Sequence, residues 1–367
     1  MKKLDQALFQ QLYLVCKANN MKLSLFSFLM VLSFNAFSVV NGEGLNWDDN
    51  DVIVRFDYEN NVGQCTGTLF AGKYILTAAH CLYDKDSIDR ITTVSNSILK
   101  KDTTVVIHPN YQDAGDSSVG QDVAILKLNK NISYSNAFYF HSSTNDPFNY
   151  GEIVEINGFG GTSGNLNKAK LKLTDWRDCL GSSCGGRGDY LLYAELYNES
   201  HTIGGDSGSS WINSNNEIIS IHKGSSVVNS NGFRWRETYS TNINDVKDFI
   251  LDSVNSWHYP TEIKTKGKTT VTVQSLHSSV VTDMGFVTGN LTLIPEESSC
   301  LNSELKPFQK CTYTIEGESG SLILSDDDVI NISSIDNDTG STGDSGGSLN
   351  FLILLLLASI SIFRKRA

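Results

Sequence analysis

The sequence is short of positive charge. Its 367 residues carry 29 Lys and Arg against 41 Asp and Glu, a formal net charge of −12. That deficit excludes nucleic acid and an anionic membrane surface as electrostatic partners. Charged residues are sparse altogether at 19%, while apolar residues reach 40%. A disordered chain is thereby excluded, and the length suits about two globular domains. There is no CxxC pair and no Cys/His cluster, so a thiol metal site has no ligand set, and neither a metal nor a cofactor is expected. A long apolar run is missing as well. The run at 351–363 has thirteen residues and is broken by Ser359 and Ser361. As a helix it reaches about 20 Å, against a hydrocarbon core of about 30 Å, which is short for a permanent anchor.

What is present begins with the ends. Residues 1–20 are mixed and polar, with a lone Cys16, and read as a doubtful leader or a misassigned start. Met21 opens a better signal peptide, 21–38. Lys22 supplies its positive end, 23–34 is largely apolar, and Ala36 and Ser38 are the small residues a signal peptidase reads. Cleavage is expected after Ser38. At the other end, 335–350 is a linker rich in Asp, Ser, Thr and Gly, followed by the apolar segment 351–363 and the basic tail 364–367. The tail should stay cytoplasmic. With Cys16 set aside, six cysteines remain, and an even count in an exported chain suggests three disulfides. Closeness in sequence favours Cys65–Cys81, Cys179–Cys184 and Cys300–Cys311.

Between the ends, 52–242 consists of short β-type runs separated by Gly, Asn, Asp and Ser, the pattern of an all-β barrel or sandwich. One helix is expected over 244–254, with Ile243, Val246, Phe249, Ile250 and Val254 on its apolar face and Asn244 as its cap. From Thr261 the texture changes to alternating Thr and Val. That predicts a separate small β domain over 262–334, stapled by Cys300–Cys311 and suited to spacing or binding.

Three boxes carry the chemistry. Leu76-Thr77-Ala78-Ala79-His80-Cys81 ends a β run with a His among small residues. Asp122-Val123-Ala124-Ile125-Leu126-Lys127-Leu128 opens a strand with an Asp. Gly204-Gly205-Asp206-Ser207-Gly208 sets a Ser in a loop that can turn sharply. A nucleophilic serine needs a base, a carboxylate that orients the base, and N–H donors for the oxyanion. The order His, Asp, Ser, with gaps of 42 and 85 residues, offers all three. Asp113 and Asp116 compete for the carboxylate role, but they sit in a polar loop with no strand following.

These boxes resemble those of the chymotrypsin/trypsin superfamily of serine peptidases across 39–258. The resemblance implies paired six-stranded β-barrels and peptide hydrolysis with Ser207 as nucleophile, His80 as general acid/base and Asp122 as orienting carboxylate. It also implies a Cys65–Cys81 bridge beside the base and an oxyanion hole made by the N–H groups of Gly205 and Ser207. Cleavage after Ser38 would expose Val39-Val40-Asn41-Gly42, which resembles the mature N-terminus of activated members. There the new ammonium pairs with the acid beside the nucleophile, here Asp206.

The nucleophile region is also similar to the glutamyl endopeptidase branch. Thr202 and His222 match positions that bind a substrate carboxylate there, so cleavage after Glu or Asp is expected. That branch usually has an amide where this chain has Asp206. His201 stands where trypsins keep an acid, which argues against an Arg or Lys preference. Backbone groups of His222, Lys223 and Gly224 should pair with the extended substrate.

Gly-Asp-Ser-Gly occurs a second time, at 343–346, in the linker, where nothing rigid can hold a triad. Its Gly346-Gly347, the apolar segment and the basic tail resemble the Gly-Gly sorting signals of Gram-negative exported proteins, which a rhomboid-type peptidase processes. The expected protein is thus secreted or displayed at the cell surface, with transient membrane contact. Its expected partners are protein or peptide substrates, signal peptidase and a sorting peptidase. The alternative is an exported protease-like binding or adhesion module.

Overall fold

The computed structural model describes residues 39–58, 61–83, 88–95, 97–99, 102–113, 118–161, 164–174, 190–230 and 232–335. The leader, the signal segment, Cys179, Cys184, Asp116, the apolar segment and Ser345 lie outside them. Among the described residues no helix is long and apolar enough to cross a membrane.

A curled half-barrel and a closed barrel come first, the double-barrel arrangement that the resemblance implies. In the first sheet the strands run Ser97–Leu99, Ile88–Thr92, Ile53–Tyr58, Asn61–Phe70, Tyr74–Thr77, Ala124–Leu128 and Thr103–Ile107, each paired with the next, curled into a half-barrel. Alternate side chains point inward, so Val54, Phe56, Leu69, Ile75 and Leu126 fill its interior. The second sheet closes on itself. Asn167–Thr174 pairs on one side with Ile153–Gly158 and on the other with Leu191–Leu196, and Ser210–Ile212, Glu217–Ser230 and Phe233–Asn242 complete the ring. Val154, Ile156, Leu171, Trp211 and Ile219 pack inside it.

The expected helix is there with a different start. A 3-10 turn, Ile243–Val246, leads into the α-helix Lys247–Val254, and the cap is Asn242, whose side chain accepts the Asn244 N–H at 3.0 Å. Asn244 instead donates its amide to the Asn145 carbonyl at 2.6 Å. The apolar face meets the first barrel through Phe70 and Leu76 and the second through Ile218 and Ile221.

Beyond the helix lies a third sheet. Trp257–His258, Gly267–Ser275, Lys310–Ile323, Val329–Ser334 and Glu262–Thr265 follow one another across it, with Phe286–Leu293 also on Lys310–Ile323. Trp257 and His258 pair with Ser275 and Gln274, so this sheet starts before residue 262. Cys300–Cys311 is formed within it, S–S 2.08 Å. It packs closely on the barrels. Leu276 and Phe308 join the core that holds Phe70 and Phe140. Gln274 accepts the Phe140 N–H at 2.9 Å and donates to the Phe140 carbonyl at 2.8 Å. Lys310 reaches Glu217 at 2.6 Å.

Candidate active site

The three motif boxes meet between the barrels. His80 begins a short helical turn, His80–Tyr83, directly after the strand Tyr74–Thr77 and two alanines. The small residues let the chain pass under the cleft, and Ala78 and Ala79 are fully buried. Asp122 precedes the strand Ala124–Leu128, the neighbour of Tyr74–Thr77. Sheet pairing therefore brings base and carboxylate together across 42 residues of sequence. Asp122 is fully buried. Its Oδ2 lies 2.7 Å from His80 Nδ1, and its Oδ1 accepts the His80 backbone N–H at 2.9 Å. The two bonds fix both the position and the tautomer of the imidazole, leaving Nε2 as the acceptor. Asp113 is exposed, and its charge favours a protonated His80.

The electrostatics follow from burial and pairing. Burial works against a charged His80, but the Asp122 charge and hydrogen bond outweigh it, and the pKa ends above its ordinary value while Lys223 opposes the rise. Burial likewise disfavours the Asp122 carboxylate, yet the His80 charge and bonds hold its pKa below the ordinary value.

Ser207 is half-buried in a turn between the barrels. Its carbonyl accepts the Thr66 N–H at 2.8 Å, and the Cys65–Cys81 disulfide, S–S 2.02 Å, joins the residue before Thr66 to the residue after His80. Gly208 has φ +86°, and a Cβ there would meet Thr77 Oγ1 at 2.1 Å and the Thr66 carbonyl at 2.3 Å; only glycine fits. Gly205 is buried at φ +107°. Among the described residues nothing accepts the N–H groups of Gly205 and Ser207, which leaves a pair of donors on one loop for an oxyanion.

Asp206 points the other way, into full burial. Its Oδ1 accepts the Gly160 N–H at 2.8 Å and its Oδ2 the Ile203 N–H at 2.9 Å. Burial pushes its pKa up to about 6 despite those two donors. Gly158 and Gly160 form the cradle, since a Cβ on either would collide with the carboxylate. Val39 is also fully buried, and its N–H reaches the Gly160 carbonyl at 3.1 Å. The segment after Val39 is held by Val40, which bridges His201.

Thr202 is fully buried, and among the described residues its Oγ1 has no hydrogen-bond partner. His222 is 2% exposed and stacks on Trp211, whose Nε1–H points at His222 Nδ1 at 3.4 Å. Burial takes the His222 pKa down to about 3. The ring is therefore a neutral imidazole carrying its proton on Nε2. Lys223 is the extra residue of a β-bulge, since His222 pairs with Ser240 and Gly224 with Tyr239. Its Nζ lies 3.5 Å from the Gly120 carbonyl and over the Tyr190 ring.

With this geometry the comparisons agree. The trypsin family model matches residues 39–250, more than half of the chain. The chain belongs to the trypsin family. A trypsin from Saccharopolyspora erythraea is 35% identical over 97 residues, 24% of this chain and 41% of its own length. A venom serine protease from Polistes dominula is 30% identical over 115 residues, 28% of this chain and 40% of its own. The chain thus spans about two fifths of the length of these relatives. Among solved structures, the secreted serine protease VesC from Vibrio cholerae covers 80% of this chain and 71% of its own at 15% identity, with a TM-score of 0.46. For a trypsin-family chain, the feature that the sequence reading missed is Thr66. Its hydroxyl shows no periodicity or motif, and its place directly after Cys65 is the one signal that could have flagged it.

Proposed function

We propose that the chain is a serine endopeptidase that hydrolyses peptide bonds through an acyl-enzyme. The observation that carries this is the buried Asp122 bonded to His80 Nδ1 beside the Ser207 loop. His80 Nε2 takes the Ser207 proton as Oγ attacks the scissile carbonyl, and Asp122 stabilises the imidazolium that forms. The oxyanion is received by the N–H groups of Gly205 and Ser207. His80 then returns the proton to the leaving amine, and water repeats the cycle on the acyl-enzyme. A non-catalytic binding or adhesion module is disfavoured, because every catalytic role is filled. The test is labelling with a fluorophosphonate. The chain starting at Val39 labels and Ser207→Ala does not, whereas Ser345→Ala labels normally; labelling that survives Ser207→Ala refutes the assignment.

The neighbouring positions of Val39, Gly160 and Asp206 support activation by a freed Val39 ammonium that pairs with Asp206. For specificity, the uncommitted Thr202 hydroxyl and the fixed Nε2–H of His222 support a pocket that donates hydrogen bonds to a substrate carboxylate, hence cleavage after Glu or Asp. Matched peptides ending in Glu, Arg, Phe and Ala test it, and fastest turnover of the Arg peptide refutes it. Disulfides at 65–81 and 300–311 support an exported protein. Export by signal peptidase is tested by N-terminal sequencing, which should begin at Val39. Tail processing by a sorting peptidase is tested by C-terminal mass, which an intact Ala367 would exclude.

A further inference from the structure

We propose that Thr66 is a positioning residue that holds the oxyanion-binding loop in its working shape; this rests on the serine peptidase reading above. Thr66 lies in the strand Asn61–Phe70 of the first barrel and is fully buried. Its backbone N–H donates to the Ser207 carbonyl at 2.8 Å. Its hydroxyl donates to the Gly205 carbonyl at 2.9 Å. That hydroxyl has one proton, and its direction is set from behind, because Oγ1 also accepts the Phe159 N–H at 3.2 Å. The Thr66 carbonyl is in turn held by Thr77 Oγ1 at 2.8 Å.

The consequence lies in three consecutive peptide planes. The Gly205–Asp206 plane is gripped at both ends, its carbonyl by the Thr66 hydroxyl and its N–H by the Ile203 carbonyl at 3.1 Å. The Asp206–Ser207 plane, which carries the Ser207 N–H, has its carbonyl on the Ser209 N–H at 3.1 Å. The Ser207–Gly208 plane has its carbonyl on Thr66 and its N–H on the His222 carbonyl at 2.9 Å. Thr66 thus holds the planes on either side of the one that supplies an oxyanion donor. Gly205 itself sits at φ +107° with no side chain to restrict it, so the hydroxyl supplies a restraint that the glycine cannot. Donors of this kind stabilise charge only when they are fixed before the charge develops. A slack Gly205 carbonyl would let its peptide rotate and lose part of that stabilisation in the transition state alone.

The test compares Thr66→Val, which keeps the shape and loses the hydroxyl, with Thr66→Ser, which keeps the hydroxyl, in the full processed chain. Losing one buried hydrogen bond at this point should lower kcat about ten- to hundred-fold, with KM within about threefold. A peptidyl boronic acid should bind Thr66→Val more weakly by the same factor, while the matching peptide acid binds unchanged. Thr66→Ser should stay within about threefold of wild type. Thr68→Val is the control for mere structure. It removes a cross-barrel bond of the same kind, Thr68 Oγ1 to Ser210 Oγ at 2.8 Å, and should lower Tm without changing kcat. If Thr66→Val fails to fold, Thr66→Ala against Thr66→Ser makes the same comparison. Wild-type kcat in the hydroxyl-free variant, or an equal fall in kcat for Thr68→Val, overturns the role of Thr66 while leaving the peptidase reading intact. A wild-type chain that neither turns over nor labels overturns both.

Discussion

Asp206 offers the sharpest use of pH. Among the described residues no cation lies beside its carboxyl, and burial raises its pKa from 3.8 to about 6. A folded-state pKa raised above the unfolded value means stability that is present below pH 3.8 and lost as pH rises through about 6. The loss runs at about 1.4 kcal/mol per pH unit and levels off at about 3 kcal/mol. Asp206→Asn has no charge to acquire. In a chain that keeps residues before Val39, the variant should therefore gain about 3 kcal/mol on wild type between about pH 3.5 and about pH 7.5. In a chain that starts at Val39 the sign reverses. The ammonium forms next to the Gly160 carbonyl, on the residue whose N–H already serves Asp206. On the proposed pairing the ammonium matches the carboxylate, whose stability is then present above the unfolded pKa, and removing it strands a buried cation at a cost of about 3 to 5 kcal/mol. Urea unfolding of the four proteins across pH measures both effects. Parallel pH curves for the two chain lengths would refute the pairing. A flat difference between wild type and variant in the extended chain, from about pH 4 to about pH 6, would refute the raised carboxyl.

Other outcomes follow from the same geometry. Lys223 opposes protonation of His80, with Asp122 and Asp113 favouring it and the neutral His222 alongside. Lys223→Met should therefore move the acid limb of kcat/KM to higher pH, while Lys223→Arg leaves it in place; an unmoved limb in the Met variant contradicts the coupling. Gly208→Ala should abolish activity and cost about 3 kcal/mol or more, because its Cβ would meet Thr66 and Thr77 at φ +86°. Wild-type turnover in that variant would show that the loop shape is not required. Gln274→Leu should lower the unfolding free energy by about 2 to 4 kcal/mol, as it strands the N–H and carbonyl of the buried Phe140; an unchanged urea midpoint would mean the third sheet does not support the barrels.

The catalytic boxes were legible because their constraints are local. His80 needs small neighbours, Asp122 needs a strand start and Ser207 needs glycines, and each need leaves residues of one type at fixed offsets. The barrels were legible by alternation wherever one face meets the core. That signal fails where a hairpin leaves the barrel. Glu217–Ser230 and Phe233–Asn242 form one long pair, yet only 218–221 reads as a strand, because Ser225, Ser226 and Asn229 lie outside the core and carry no apolar alternation. Asn242 and Asn244 are the same residue type two positions apart, and pattern alone gave the cap to the wrong one. The third sheet looks separate because the texture changes at Thr261. What joins it to the barrels is long-range, through the apolar Leu276 and Phe308 and through polar contacts: Gln274 on Phe140, Lys310 on Glu217, and His258, whose Nδ1 accepts the Ala71 N–H at 3.1 Å. Such contacts have no period along the chain.

Thr66 gives that contrast a functional edge. Cys65 and Thr66 are adjacent on one strand, and in an extended strand adjacent side chains leave on opposite faces. Cys65 goes to the base side and is tied by its disulfide to the residue after His80. Thr66 goes to the nucleophile side and holds Gly205, while its own N–H holds Ser207. A single strand of the first barrel thereby sets the distance between two catalytic elements separated by 127 residues of sequence. Any slip of that strand by one residue would exchange the two faces and separate base from nucleophile. The register is held on both flanks, by Thr66 opposite Arg55 on one side and Thr68 opposite Leu76 on the other. The alignment of the site is therefore a property of strand pairing in the first barrel as much as of the loops that carry the reacting atoms.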